Sequence, residues 1–144
     1  MKIAVSSTGQ GLSSSVDPRF GRCQFFLVVD LDSMEHTATT NTAGGSASGA
    51  GIEAAQIVSG MGVSAVLTGN IGPNAFQTLN AAGIKVYVGA GGTITESIER
   101  FKRGELAEAG NATVPGHFGM GRGGGRGMGR GRGGGGGMGR GGSN

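Results

Sequence analysis

The fold is decided by a stretch in the middle of the chain, which reads SAVLTGNIGPNA at residues 64–75. The first five residues form a short, largely apolar run that predicts a buried strand. The glycine-rich letters after it predict a turn, and Pro73 suits the first position of a helix. Because a strand that turns at once into a helix is the repeating unit of parallel α/β sheets, this stretch indicates an α/β protein.

The same alternation continues towards the C-terminus. The helix after the turn has Ala75, Leu79 and Ala82 on its predicted inner face, and a further strand is predicted at residues 84–88. A glycine-rich loop at residues 89–92 then leads into another helix. Two strand–helix units in succession favour right-handed parallel crossovers.

Three strands and one helix are predicted before the central stretch. The strands lie at residues 2–6, 24–30 and 35–41, and the helix includes residues 54–61. A short connection around Asp32 joins the second and third strands as a hairpin, which places one antiparallel strand in the sheet. The predicted order is β-β-β-α-β-α-β-α, a mixed five-stranded sheet flanked by helices, which is the order of a ribonuclease H-like α/β domain.

The chain divides into two parts of different composition. Residues 116–144 hold seventeen of the 34 glycines, five arginines and no carboxylate, and they lack Leu, Ile and Val. Such a segment buries too little apolar surface to offset its ordering entropy. We therefore predict a folded domain at residues 1–115, with a net charge of −2, and a disordered Gly/Arg/Met-rich tail at 116–144, with a net charge of +5.

One cysteine, Cys23, is present in the whole chain. A single thiol excludes an intrachain disulfide and a four-cysteine metal site, and free thiols persist in reducing compartments. The sequence has neither an apolar leader nor a run of 18 apolar residues. We expect a cytoplasmic protein without membrane contact, a monomer or a weak oligomer.

Four glycine-rich loops follow predicted strands, at residues 7–11, 42–51, 69–72 and 89–92. If the first, third, fourth and fifth strands are parallel, these loops meet at the carboxyl edge of the sheet, where open α/β sheets bind ligands. Glycine lets backbone N–H groups approach a ligand closely, and three of the loops lead into helix N-termini, which favour anions. The edge is a predicted anion site; the alternative is that the glycines only form tight turns.

The backbone residues predicted to contribute to this site are Gly44, Gly45, Gly49, Gly69, Asn70, Ile71, Gly72, Gly91 and Gly92. The loops lack the Gly-x4-Gly-Lys-Ser/Thr spacing of a phosphate-binding loop. The first and fourth strands carry no carboxylate, whereas a nuclease on such a fold needs several around divalent metal ions. We therefore expect a binding protein and not an enzyme.

A basic turn with the single thiol lies between the first two strands, in the stretch DPRFGRCQFF that begins at Asp17. Nearby cations favour thiolate over thiol, and thiolate binds soft metals. Cys23 is therefore a candidate metal ligand, and Arg19 and Arg22 are candidate contacts for an anionic cofactor. The alternatives are that Cys23 is a small buried hydrophobe and that the arginines pair with Asp17 or Asp30.

Several blocks within residues 1–108 resemble the dinitrogenase iron-molybdenum cofactor family. The blocks are MKIAV at 1–5, FGRC at 20–23, the strand from Phe26 to Asp30, GAG at 49–51, TGNIGPNA at 68–75 and AGI at 82–84. The resemblance implies a ribonuclease H-like fold and the non-catalytic binding, carriage or storage of an anionic metal–sulfur cluster of Mo–Cu or Fe–Mo/Fe–S type, exchanged with donor or acceptor proteins. One branch of the family implies a molybdenum–copper sulfide cluster held without covalent protein ligands. Members thought to use His or Cys ligands are matched at Cys23 alone.

The tail contains three Gly-Met-Gly-Arg repeats, at residues 119–122, 127–130 and 137–140. Its arginines suit RNA or single-stranded nucleic acid, its methionine thioethers suit Cu(I), and its charge suits neutralisation of anionic clusters. A flexible, solubilising tail is the remaining interpretation. Phe118 is the one aromatic residue in the tail, so base stacking has little support there. Nucleic-acid binding through the tail is therefore the alternative function.

Overall fold

The computed structural model describes residues 1–44 and 49–110. The predicted tail at 116–144 and the candidate residue Gly45 lie outside these described residues. In chain order, the elements are β1 (Lys2–Ser7), β2 (Phe25–Asp30), β3 (His36–Thr40), α1 (Ala50–Ser59), β4 (Ala65–Leu67), α2 (Pro73–Ala81), β5 (Lys85–Val88), α3 (Ile94–Lys102) and β6 (Ala107–Glu108).

The strands form one mixed sheet with the order β3-β2-β1-β4-β5-β6. Strands β1, β4 and β5 are parallel, with Ala4 of β1 opposite Val66 of β4, and β2 is antiparallel to both β1 and β3. The prediction of a mixed α/β sheet is confirmed, but the prediction of five strands is wrong. Strand β6 was missed because its two residues, Ala107 and Glu108, are both exposed and give no apolar pattern.

Helices cover both faces of the sheet, because neighbouring residues on a strand point to opposite sides. Ala4 belongs to the core formed with α1 and α2, whereas Ile3 and Val5 belong to the core formed with Ile94 and Ile98 of α3. Helices α1 and α2 therefore lie side by side on one face. Helix α3 lies on the other face, so its start is separated by the sheet from the starts of α1 and α2.

Most of the predicted inner helix faces are buried. On α2, Ala75 and Leu79 pack into the core, but Ala82 is exposed, contrary to prediction, because the helix ends at Ala81 and the chain turns away at Gly83 with φ +78°. None of the helices formed by residues 1–44 and 49–110 is long and apolar enough to cross a membrane.

Candidate functional site

The segment between β1 and β2 crosses the carboxyl edge of the sheet and ties its loops together. It covers residues 8–24, and within it the Val16 N–H donates to the carbonyl of Gly92 at 2.9 Å. Further along, the carbonyl of Pro18 accepts from the Asn70 N–H, also at 2.9 Å. This segment, which includes the basic turn, therefore joins the loops after β4 and β5 at this edge.

Helices α1 and α2 begin next to each other and next to the basic turn. A Cβ atom placed on Gly51 would lie 3.5 Å from the Cβ of Ala75. A Cβ atom placed on Gly21 would lie 3.0 Å from both the Cα and the N of Gly51, which is tighter than most Cβ contacts in proteins. Glycine at position 21 is therefore what allows the basic turn to approach the first turn of α1.

The first turns of these two helices carry backbone N–H groups that lack partners among the described residues. Gly49 and Gly72 are the N-caps, and neither supplies a side-chain acceptor. The amides at 50–52 in α1 and at 74–75 in α2 have no intrahelical acceptor by geometry, and no acceptor for them is found in the part of the chain that the structure describes. The partial positive charges of two helix N-termini thus coincide at one place.

Helix α3 begins differently, because its donors are already occupied. They are bonded as follows: Ile94 N–H to the Ser14 carbonyl, Thr95 N–H to the Leu12 carbonyl, Glu96 N–H to the Thr93 hydroxyl, and Thr93 N–H to the Glu96 carboxylate. The expectation that all three helix N-termini after glycine loops are open to an anion is therefore wrong for α3. Gly92 has φ +72° and serves the turn, and the carbonyl of Gly91 accepts from Ser97.

The remaining candidate glycines differ in whether the fold requires glycine at their positions. A Cβ on Gly69 would lie 2.7 Å from the Cα of Pro18, and Gly49 has φ +78°, so the fold itself requires glycine at both positions. Gly72 differs, because its backbone is extended and a Cβ there would meet nothing within 4 Å. Gly72 is half-buried, and nothing in the described fold requires glycine at this position.

Asn70 and Ile71, the residues before Gly72, hold the turn in place through contacts with the rest of the protein. The Ile71 side chain is buried in the core shared with α1 and α2. Asn70 forms an isolated parallel bridge with Arg19 in addition to its bond to Pro18. These two residues therefore hold the loop after β4 against the basic turn, and their side chains do not form an open ligand surface as a pair.

The two arginines of the basic turn have different partners. Arg19 contacts Asp17 through its Nε atom at 3.3 Å and its Nη2 atom at 3.4 Å, as one of the sequence alternatives expected, and its side chain is 50% exposed. Arg22 donates instead from Nη1 to the carbonyl of Gly44 at 3.2 Å. The structure therefore places the predicted site residues Arg22 and Gly44 in direct contact.

Cys23 is fully buried, and its thiol donates to the carbonyl of Phe20 at 3.3 Å. Burial, followed by the nearby negative charge of Asp17, raises the pKa of the Cys23 thiol to about 12. The expectation that the neighbouring arginines favour thiolate is wrong, because desolvation and Asp17 raise the pKa of Cys23 and the groups that lower it are hydrogen-bond donors, with neither arginine among them. The alternative of a small buried hydrophobe describes Cys23 as it stands in the core.

Clusters of conventional metal ligands are not found in residues 1–44 and 49–110: no group of three or more His, Cys, Asp or Glu side chains is placed to hold a metal ion. His36 is exposed on the edge strand β3. The sequence interpretation expected anion-binding donors at these helix starts, but it named Gly49 and Gly72 and not the amides at 50–52 and 74–75, which have no acceptor among the described residues. Their signal was available, because both helices begin after glycine and without the Ser, Thr, Asp or Asn that usually occupies an N-cap.

Comparison with known proteins gives a family and several relatives. Residues 1–104 match the family model described as dinitrogenase iron-molybdenum cofactor. An uncharacterised protein of Methanocaldococcus jannaschii is 36% identical over 109 residues, which are 74% of this chain and 89% of that protein.

Solved structures give matching folds. The apo form of the orange protein from Desulfovibrio gigas has a TM-score of 0.76 and 42% identity, covering 78% of this chain and 96% of that one. A candidate NifB protein from Thermotoga has a TM-score of 0.69 and 39% identity, covering 78% and 97%. A candidate dinitrogenase from Methanocaldococcus jannaschii, at 20% identity and a TM-score of 0.59 over 77% and 96%, shares the fold.

Proposed function

Because the chain belongs to the dinitrogenase iron-molybdenum cofactor family, we propose that it binds an anionic metal–sulfur cluster and carries or stores it without catalysing a reaction. The observation that carries the proposal is the pair of adjacent helix starts, α1 and α2, whose first-turn amides have no acceptor among the described residues and lie at the same edge as the basic turn. The cluster is the cargo of this protein, to be taken from donor proteins and passed to acceptor proteins, by a monomer or a weak oligomer.

Backbone amides suit such a cargo because the sulfides on its surface accept hydrogen bonds and carry its negative charge. An anion at a helix N-terminus gains about 0.3–1 kcal/mol from the helix dipole, and two adjacent helices act on the same charge. The extended backbone of Gly72 presents no side chain at the start of α2, so a bulky cluster can approach the amides at 74–75 closely.

The arginines add charge to this amide surface. The ion pair between Arg19 and Asp17 uses the Nε and Nη2 atoms of Arg19, and a guanidinium has five N–H donors in all. Half of the Arg19 side chain is exposed, so the N–H donors that Asp17 does not use can reach a ligand at the carboxyl edge of the sheet. Arg22 contributes its charge from the turn that contacts the start of α1.

Cys23 has no ligand role in this proposal. A thiol with a pKa of about 12 stays protonated at neutral pH, and it is sealed in the core by Phe20 and Phe26. We therefore propose non-covalent retention of the cluster by N–H donors and charge. This mode of binding suits Mo–Cu and Fe–Mo or Fe–S clusters alike, because the contacts are to sulfide and not to metal.

We also assign the fold to the ribonuclease H-like class as part of this proposal. An antiparallel β3-β2-β1 portion continues into parallel β4 and β5, and helices cover both faces. This arrangement supports the assignment, with β6 as an addition at the edge.

The experiment is an anaerobic titration of the full chain, prepared without metal, with tetrathiomolybdate and separately with ferrous iron plus sulfide. We expect a saturable change in visible absorption at a fixed stoichiometry with at least one of them, and weaker binding by Arg19→Ala. Arg103→Ala is the matched control, because Arg103 is an exposed arginine that pairs with Glu105 at the far end of α3. Absence of any saturable change, or equal losses in both variants, would overturn the proposal.

A further inference from the structure

Asn41, directly after β3, is a buried amide whose contacts all lead to the basic turn or to the loop before α1. It is 6% exposed, and its Nδ2 atom donates to the carbonyl of Cys23 at 2.8 Å and to that of Gly21 at 3.2 Å. Its Oδ1 atom accepts from the N–H of Ala43 at 3.1 Å. One side chain therefore connects two segments that are 18 or more residues apart in sequence.

A second link joins the same two segments in the opposite direction. Arg22 of the basic turn donates from Nη1 to the carbonyl of Gly44 at 3.2 Å. The N–H of Gly44 donates to the Asn41 carbonyl at 3.3 Å, and a Cβ on Gly44 would lie 3.2 Å from the carbonyl oxygen of Cys23. The segments are therefore in close contact, and glycine at 44 is part of the fit.

The position of Gly21 connects this junction to the helix start. Asn41 holds the carbonyl of Gly21, and the Cα of Gly21 packs against the backbone of Gly51 in the first turn of α1. A shift of Gly21 would therefore move Arg22, its neighbour in the chain, relative to the α1 amides. Loss of the Asn41 amide would also take this donor from the buried carbonyl of Cys23 and the half-buried carbonyl of Gly21, which favours such a shift.

We propose that Asn41 is a positioning residue of the cluster site, one that fixes Arg22 and the N-terminus of α1 in the geometry that binds the anion. This inference rests on the proposed function and identifies a residue that acts through Arg22 without touching the cargo. Arg19 provides a contrast, because it is held by Asp17 and not by Asn41. Asn41 should therefore be coupled to Arg22 and independent of Arg19.

A double-mutant cycle on the full chain, with tetrathiomolybdate as the probe, tests this coupling. Alone, Arg22→Ala and Asn41→Ala should each weaken binding, and Arg22→Ala should add little in the Asn41→Ala background, with a coupling of at least about threefold. Arg19→Ala should weaken binding by the same factor in both backgrounds. The salt dependence of binding should also fall in Asn41→Ala, although that variant keeps every charge.

Two controls separate positioning from a general loss of stability. Circular dichroism and urea unfolding establish the folded fraction, and Asn41→Ser, which keeps one donor, replaces Asn41→Ala in the cycle if the latter does not fold. Asn80→Ala, at an exposed asparagine of α2, should be additive with Arg22→Ala. If the wild type binds but Asn41 and Arg22 contribute independently, the inference is wrong; if the wild type does not bind, the proposed function fails and the inference with it.

Discussion

Gly51 in the first turn of α1 lies against Ala75 in the first turn of α2, so close that a Cβ on Gly51 would be 3.5 Å from the Cβ of Ala75 and 3.9 Å from its N atom. Both helices connect parallel strands on the same face of the sheet, so their dipoles point the same way. Two like partial charges side by side repel each other, and an anion placed between them relieves that repulsion.

Anion binding should therefore stabilise the folded chain. A ligand that binds the folded state alone raises the free energy of unfolding by about 2.7 kcal/mol at a hundredfold excess over its Kd. We expect tetrathiomolybdate to raise the Tm of the metal-free protein by several degrees, and sodium sulfate at equal ionic strength to raise it less. An equal rise with both salts would indicate general charge screening and contradict a specific site.

Gly72→Ala should weaken cargo binding while leaving the fold intact. The added methyl group meets no atom of the described fold, and the extended backbone accepts alanine, so we expect the free energy of unfolding to change by less than about 1 kcal/mol. The methyl group would stand in front of the α2 amides, and we expect the Kd for tetrathiomolybdate to rise about tenfold, the cost of roughly one charge-assisted hydrogen bond.

Gly69→Ala is the matched comparison for that variant, because its methyl group would lie 2.7 Å from two carbon atoms of Pro18. We expect it to lower the free energy of unfolding by about 1–3 kcal/mol, as overpacking typically does. Urea unfolding and absorption titration of both variants separate the two effects. Unchanged binding by Gly72→Ala would remove the start of α2 from the site.

Cys23 should make the stability of the protein fall with pH above the normal titration of a thiol. Its pKa rises from 9.0 to about 12 on folding, so the folded state holds the proton that the unfolded state loses between these values. Stability from this group is complete below pH 9 and declines by up to about 1.4 kcal/mol per pH unit above it. Urea unfolding of wild type and Cys23→Ser under reducing conditions at pH 8, 9, 10 and 11 measures the difference. Parallel pH curves for the two proteins would mean that the thiol is not buried in solution.

The arginines of the basic turn should matter more for cargo retention than the thiol. The Cys23 Sγ donates to the Phe20 carbonyl and accepts from the Asn41 Nδ2 at 3.7 Å, and a serine hydroxyl can do both, so retention by Cys23→Ser should stay within about twofold of the wild type, the usual range for a change without a ligand contact. Arg19→Ala or Arg22→Ala removes a charge beside the helix starts and should cost more, about tenfold each. The reverse ranking, by metal analysis after gel filtration, would make Cys23 a ligand and the proposed mode of binding wrong.

The sequence predicted the α/β class and the edge of the sheet where the loops meet, because strand and helix periodicity and glycine position are local signals. It missed β6, which pairs with β5, because the two residues of this strand are both exposed and give no apolar pattern. It also counted the start of α3, with those of α1 and α2, among the helix N-termini that favour an anion. The difference lies in Leu12 and Ser14, about 80 residues before α3, whose carbonyls occupy the α3 donors.

Cys23 is a second residue whose environment the sequence pattern did not predict. Arg19 and Arg22 lie near it in sequence and were expected to favour thiolate, but burial in the core that it shares with Phe20 and Phe26, together with the charge of Asp17, favours thiol. Asn41 gave no signal at all, because an asparagine before a glycine-rich loop is common in turns. Its importance comes from two carbonyls that lie 18 and 20 residues earlier in the chain.

Removal of residues 116–144 should separate cargo binding from any nucleic-acid binding. The described core is complete without them, since its buried residues end at Leu106, so we expect the truncated protein to fold with unchanged urea stability. Strand β6 runs antiparallel to β5, so the described chain ends on the side of the sheet away from the carboxyl ends of the parallel strands. We therefore expect the starts of α1 and α2 to keep their geometry in the truncated protein.

The truncated protein loses five arginines and keeps a net charge of −2 in residues 1–115. Tetrathiomolybdate binding should survive, with at most a slower association rate because long-range attraction is reduced. If the intact chain binds RNA, that binding should disappear on truncation. It should also weaken steeply with salt, with a slope of about −0.7 per phosphate contact when the logarithm of the binding constant is plotted against the logarithm of the salt concentration. The binding of both ligands is measured side by side at about 50 and about 200 mM salt, a range over which counterion release changes nucleic-acid affinity strongly. Tight, salt-resistant RNA binding by the intact chain, together with no thiometallate binding by the truncated one, would make nucleic-acid binding the function and cluster carriage the error.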